Sequence, residues 1–123
     1  MISVPSFLLK RLYVKGSLRR SESTGFEFQL KNDLGSGYAY KIWPIKIDDV
    51  ELTEVGAQFI TDGKVTKFSE VSKNNTLTLG LNKIITVQIP EFDLRLGPHK
   101  IGMGFDVPGI GTLRFDFTDE PQG

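Results

Sequence analysis

The residues that could do chemistry in this chain are few and scattered. His99 is the only histidine, so it cannot build a histidine metal site, and a triad would need a serine and a carboxylate brought to it by the fold. Beside Gly97-Pro98 it reads as a turn residue. Cysteine is absent, which removes thiol nucleophiles, disulfides and zinc-thiolate sites. Carboxylates gather at Asp48, Asp49, Glu51 and Glu54 and again at Asp116, Asp119 and Glu120. They lack the spacing of a calcium loop, and charges of this kind along a strand edge discourage edge-to-edge pairing. Gly102-Met103-Gly104, Gly109-Ile110-Gly111 and Gly35-Ser36-Gly37 precede no helix, so the N-terminal amides that would hold a phosphate are missing. Hairpin spacing and close packing explain them better. No catalytic residue, metal ligand or cofactor is expected.

Tyr38, Tyr40 and Trp43 form the remaining group. Aromatic residues with polar tips are enriched at protein interfaces and on sugar-binding surfaces. On one strand, Tyr38, Tyr40 and Ile42 would share a face while Trp43 opens the other, so at least one of the aromatics should lie near the surface. These three residues and His99 are the candidate partner-binding or ligand-binding positions.

The element that must support them is a strand over Gly25-Phe26-Glu27-Phe28-Gln29-Leu30-Lys31-Asn32, where large apolar and polar residues alternate. Phe26, Phe28 and Leu30 point to one face that every later strand must cover. A first strand is expected over Phe7 to Val14, bent at Gly16, with Ser21 to Gly25 as the turn of a hairpin onto the central strand. Further on, the alternation Tyr38, Tyr40, Ile42 changes phase before Ile45, Ile47. Pro44 lies at the break and cannot donate to a ladder, so the strand bulges or sits at an edge there. Asp48-Asp49 and Asp62-Gly63 are hairpin turns, the first strained at Asp49 if it is type I′. Ile84, Ile85, Thr86, Val87 and Ile89 mark a core strand, and His99 to Val107 with Ile110 to Phe117 forms the last hairpin around Pro108-Gly109. Met1 to Ser6 and Asp119 to Gly123 are expected to be flexible.

No segment of helical period emerges. About eight or nine short strands with close turns predict an all-β, single-domain antiparallel β-sandwich, immunoglobulin-like or fibronectin-like, over residues 1–123. The chain has 123 residues, enough for one hydrophobic core without staples. Fifteen basic and fifteen acidic residues give zero formal charge, which argues against nucleic acid as a partner and favours association with a protein, either a larger subunit in a hetero-oligomer or further copies of the chain in a homo-oligomer. No apolar run approaches a membrane span, no signal peptide is read, and the cysteine-free composition suits the cytoplasm.

Taken in order, Gly16-Ser17-Leu18-Arg19, Gly25-Phe26-Glu27-Phe28, Ile47-Asp48-Asp49-Val50-Glu51-Leu52 and Leu96-Gly97-Pro98-His99-Lys100-Ile101 resemble motifs of the small β subunit of C-glycoside deglycosidases. Asp49 stands where that family has glycine, and Gly97-Pro98-His99 departs from its Pro-Gly-x-His order. The resemblance implies a β-sandwich bound to a larger barrel-type α subunit that carries the divalent metal and the catalytic groups. It carries over no catalytic residue, only the hairpin 17–28 and His99 as matched positions. The expected function is a non-catalytic accessory subunit or binding module for a larger partner enzyme in glycoside or carbohydrate metabolism. The alternative is a stand-alone sandwich that binds a sugar or small ligand through Tyr38, Tyr40 and Trp43.

Overall fold

The computed structural model describes residues 5–21, 25–52, 56–90 and 92–122. They form an all-β sandwich of three antiparallel sheets. The first sheet runs in the order β1 (Arg19–Arg20), β2 (Phe26–Lys31), β9 (Ile84–Ile89), β6 (Gln58–Thr61), β7 (Lys64–Lys67). The second runs β11 (Gly111–Asp119), β10 (His99–Val107), β4 (Lys41–Ile47), β5 (Val50–Glu51). A short pair, β3 (Gly37–Ala39) with β8 (Leu77–Leu79), forms the third. No helix among the described residues is long and apolar enough to cross a membrane.

Alternation decides which side of each strand is buried. In β2, Phe26, Phe28 and Leu30 are buried and Glu27 and Gln29 are only partly so. β9 lies beside it with Ile85, Val87 and Ile89 inward. From the opposite sheet Ile101, Met103, Phe105, Phe115 and Phe117 complete the core. The sheets meet through aromatic edges: Phe28 stands T-shaped to Phe117 at 5.2 Å, and Tyr13 stacks on Phe117 at 3.6 Å. Such pairs add to what burial itself contributes.

The turns follow their residues. Asp48 and Asp49 both have positive φ, 51° and 70°, so the two-residue link from Ile47 to Val50 is the type I′ turn that the twist of a hairpin favours. Asp62-Gly63 makes the same turn between β6 and β7, with φ of 50° and 80°. At Pro44 the strand bulges. Gly102 pairs Lys46 and Gly104 pairs Trp43, so Pro44 and Ile45 together oppose Met103. The extra residue lets Ile42 and Ile45, three apart in sequence, both point inward.

Three expectations are corrected. Residues 7–14 are not a strand: Ser6–Leu9 is a short helix, α1, continued by a 3-10 turn over Lys10–Leu12. Leu9 and Leu12 stand one turn apart, so a single face buries both, and the Pro5 carbonyl accepts from the Leu8 and Leu9 amides. Pairing with β2 is taken up by Tyr13, Val14 and β1 on either side of Gly16. Secondly, Tyr38 and Tyr40 do not share a face with Ile42: Tyr38 is exposed and Ile42 buried, because the chain bends at Tyr40 between β3 and β4. Thirdly, Asp119 to Gln122 is not a segment without partners. Asp119 ends β11, and Gln122 bridges Arg19, its amide donating to the Leu18 carbonyl. Met1–Val4 and Gly123 lie outside the described residues.

Tyr13 ties these parts together. Its hydroxyl donates to the Asp119 carboxylate at 2.7 Å and accepts from the Leu18 amide at 3.2 Å. Burial, and then the carboxylate beside it, push the phenol up to about 12 from an ordinary 10.0. A raised pKa means the folded state holds the proton more tightly, so this stability is fully present below pH 10.0 and is lost as pH rises toward about 12. Urea midpoints compared at pH 9 and pH 11 should therefore fall more steeply in the wild type than in Tyr13→Phe; equal slopes would show that the phenol contributes nothing.

Candidate functional site

The outer face of the β4–β10–β11 sheet presents one built feature, centred on Trp43. Gly102 and Gly104 alternate with the inward Ile101, Met103 and Phe105, so the glycines floor the outward side. Trp43 pairs Gly104 across the ladder and lies against it. A Cβ built on Gly104 would come within 3.2 Å of the Trp43 Cβ and Cδ1. Absence of that atom is what lets the indole rest on the sheet.

The ring is held in one place. Its Nε1–H donates to Asp106 at 2.8 Å, and the Thr112 hydroxyl donates to the same carboxylate oxygen at 2.6 Å. These two bonds, the hydroxyl first, hold the Asp106 carboxyl below the ordinary carboxylate range. Over the ring sit the Lys41 ammonium at 4.0 Å and the Arg114 guanidinium at 4.7 Å, both attracted by its negative face.

Beside the tryptophan a shallow groove of about 270 Å³ runs over Gly102. Four cations line it, Lys10, Lys46, Lys100 and Arg114, against two carboxylates, Asp49 and Asp116. Lys10 pairs Asp116 at 3.6 Å and Lys100 pairs Asp49 at 3.2 Å, which leaves Lys46 and Arg114 as the positive surplus of the groove.

The other candidates fall elsewhere. Tyr38 and Tyr40 line an open cleft with Lys73, Thr76 and Pro108, the Lys73 ammonium 5.6 Å from the Tyr40 ring. His99 starts β10 at the far end of the sheet, eight residues before Val107, or about 26 Å along an extended strand. Its Nδ1 lies 2.7 Å from Asp48 and its Nε2 2.8 Å from the Arg95 carbonyl. The two contacts place the ring between the 95–98 loop and the β4–β5 turn. Asp48 also accepts from the Lys100 amide, and that bond, followed by the His99 contact, holds its carboxyl below the ordinary range.

Four of the clustered carboxylates are likewise answered by donors, Asp48 by His99, Asp49 by Lys100, Asp116 by Lys10 and Asp119 by Tyr13 and the Gly16 amide, while Glu51 and Glu120 are exposed. Glu54 lies outside the described residues. Sequence reading missed Lys41, Asp106 and Arg114. Their only signal was the pair of glycines in Gly102-Met103-Gly104, read as room for close packing, which is what Gly104 supplies.

The motifs behind the deglycosidase resemblance are folding devices in this structure. Gly16-Ser17-Leu18-Arg19 and Gly25-Phe26-Glu27-Phe28 make the β1–β2 pairing, Asp48-Asp49 makes a type I′ turn, and Gly97-Pro98-His99 leads into β10. Turn chemistry of this kind recurs in unrelated sandwiches, and the link to glycosides rested on it alone. No curated protein matches the chain. A family model matches residues 8–121, and it overturns the resemblance: the chain belongs not with the C-glycoside deglycosidase β subunits but to the family described as hydroxymethylglutaryl-CoA reductase, N-terminal domain, a domain of a larger enzyme.

Proposed function

We propose that this chain is a single, non-catalytic β-sandwich domain that works in the cytoplasm by docking onto the catalytic part of a reductase of its family. The docking face is the outer side of the β4–β10–β11 sheet, and Trp43 is its anchor. The observation that carries this reading is the fixed indole. Tryptophan and arginine dominate binding energy at interfaces, and a ring already held by Asp106 and bedded on Gly104 loses little freedom when a partner closes on it. The surplus of Lys46 and Arg114 selects an acidic partner surface.

The stand-alone sugar-binding alternative needs Tyr38, Tyr40 and Trp43 on one platform. They are divided between two recesses, Trp43 in one and the two tyrosines in the other.

Trp43→Ala should weaken binding to the separately purified catalytic domain from the same organism by about tenfold or more, as hot-spot truncations do, and binding should fall with added salt. Val65→Ser, on the exposed part of β7 in the other sheet, should change neither. Undiminished binding by a folded Trp43→Ala protein would sink the proposal.

A further inference from the structure

The inner side of the sandwich carries a second recess, separate from the docking face and independent of that reading. It has a volume of about 260 Å³ and opens at the end of the molecule away from His99, between the loop 32–37 and the β10–β11 turn. Its depth is made of core side chains: Leu30, Ile85 and Phe105 are at most 3% exposed, with Leu9 and Leu12 of the N-terminal helical segment beside them. No charged residue lines it. Polar groups gather at the loop, where the Asn32 side chain donates to the Gly35 carbonyl and accepts from the Leu34 amide. Tyr38 stands at the rim, 47% exposed.

We infer that this recess is a binding site for a small neutral molecule with an aliphatic body, such as a medium-chain alcohol. Size sets the first limit. A dry apolar cavity of roughly 150 Å³ admits benzene, so one of about 260 Å³ takes a body of roughly eight to ten carbons. Chemistry sets the second: aliphatic and aromatic walls reward apolar area removed from water, and an anionic head would meet no cation there. The rim has room to admit the aliphatic body. A Cβ built on Gly35 or Gly37 meets nothing within 4 Å, and Leu34 is already 38% exposed.

The probe is 1-octanol, with octanoate as the charged comparison. Amide NMR shifts should saturate with octanol and concentrate at residues 34–38 and 107–113, and the melting temperature should rise along the same isotherm. Leu113→Trp, which places an indole in the recess, should abolish the saturable shifts. If that variant fails to fold, Val107→Phe on the neighbouring strand β10 serves instead. Octanoate at the same concentrations should bind at least tenfold more weakly. Shifts that grow without saturating, that centre on Trp43, or that survive in a folded filled variant would overturn the assignment, as would octanoate binding as well as octanol.

Discussion

Replacing Gly25 with alanine is expected to cost at least about 3 kcal/mol and to leave little folded protein. Gly25 has φ of +120°, a conformation that side chains with a Cβ rarely adopt. The backbone crossing it is closer still: a Cβ built there overlaps the Ile89 carbonyl oxygen and lies 2.7 Å from the Pro90 carbonyl. Backbone cannot rotate away as a side chain could, so relief requires β2 and β9 to part at the centre of the five-stranded sheet. Total stabilities run to roughly 5–15 kcal/mol, so a loss of this size is a large fraction. Gly16 also has positive φ, +85°, but a Cβ there meets nothing within 4 Å. Gly16→Ala should therefore be distinctly milder in urea denaturation, and equal losses would show that the crossing at Gly25 is not the cause.

Phe28→Ala should be nearly as damaging, at about 4 kcal/mol. Phe28 is wholly buried and touches both Tyr13 and Phe117 edge to face, at 6.1 Å and 5.2 Å. Removing it empties the junction between the two sheets, where neither backbone can move inward without breaking its ladder. Phe28→Leu keeps most of the volume and should recover much of the loss. Phe7→Ala is the comparison: that ring is 69% exposed, and its removal should lie within about 0.5 kcal/mol of wild type. A similar cost at both positions would mean that burial does not govern the difference.

The fold was legible where one physical rule acted alone. Strict alternation marked β2, β9 and the β10–β11 hairpin, and the missing amide of Pro44 located the bulge. Asp62-Gly63 announced its turn. Rules in competition misled: Leu12 and Val14 alternate as in a strand, whereas Leu9 and Leu12 share a helix face, and seven residues are too few for periodicity to choose. At Tyr40 the expected alternation ran through a bend that no proline or glycine signals. The site was less legible than the fold because it is made by register. Arg114 reaches Trp43 only because Gly104 pairs both strands' residues, Trp43 on one side and Arg114 on the other. Nothing local to Arg114 records that neighbour. His99 and Asp48 meet for a similar reason, across 51 positions of sequence.

The contact of Tyr13 with Asp119 joins positions 106 apart, and the Leu18 carbonyl with the Gln122 amide joins the same two regions. Pairings this distant make closure a late event in folding. While the chain is being synthesised, Phe26 and Phe28 emerge long before Phe115 and Phe117 can cover them. For that interval the nascent chain exposes its most aromatic strand, a surface prone to aggregation. Its yield in a cell should therefore depend on chaperones that shield that strand until β11 leaves the ribosome, rather than on the stability of the finished sandwich.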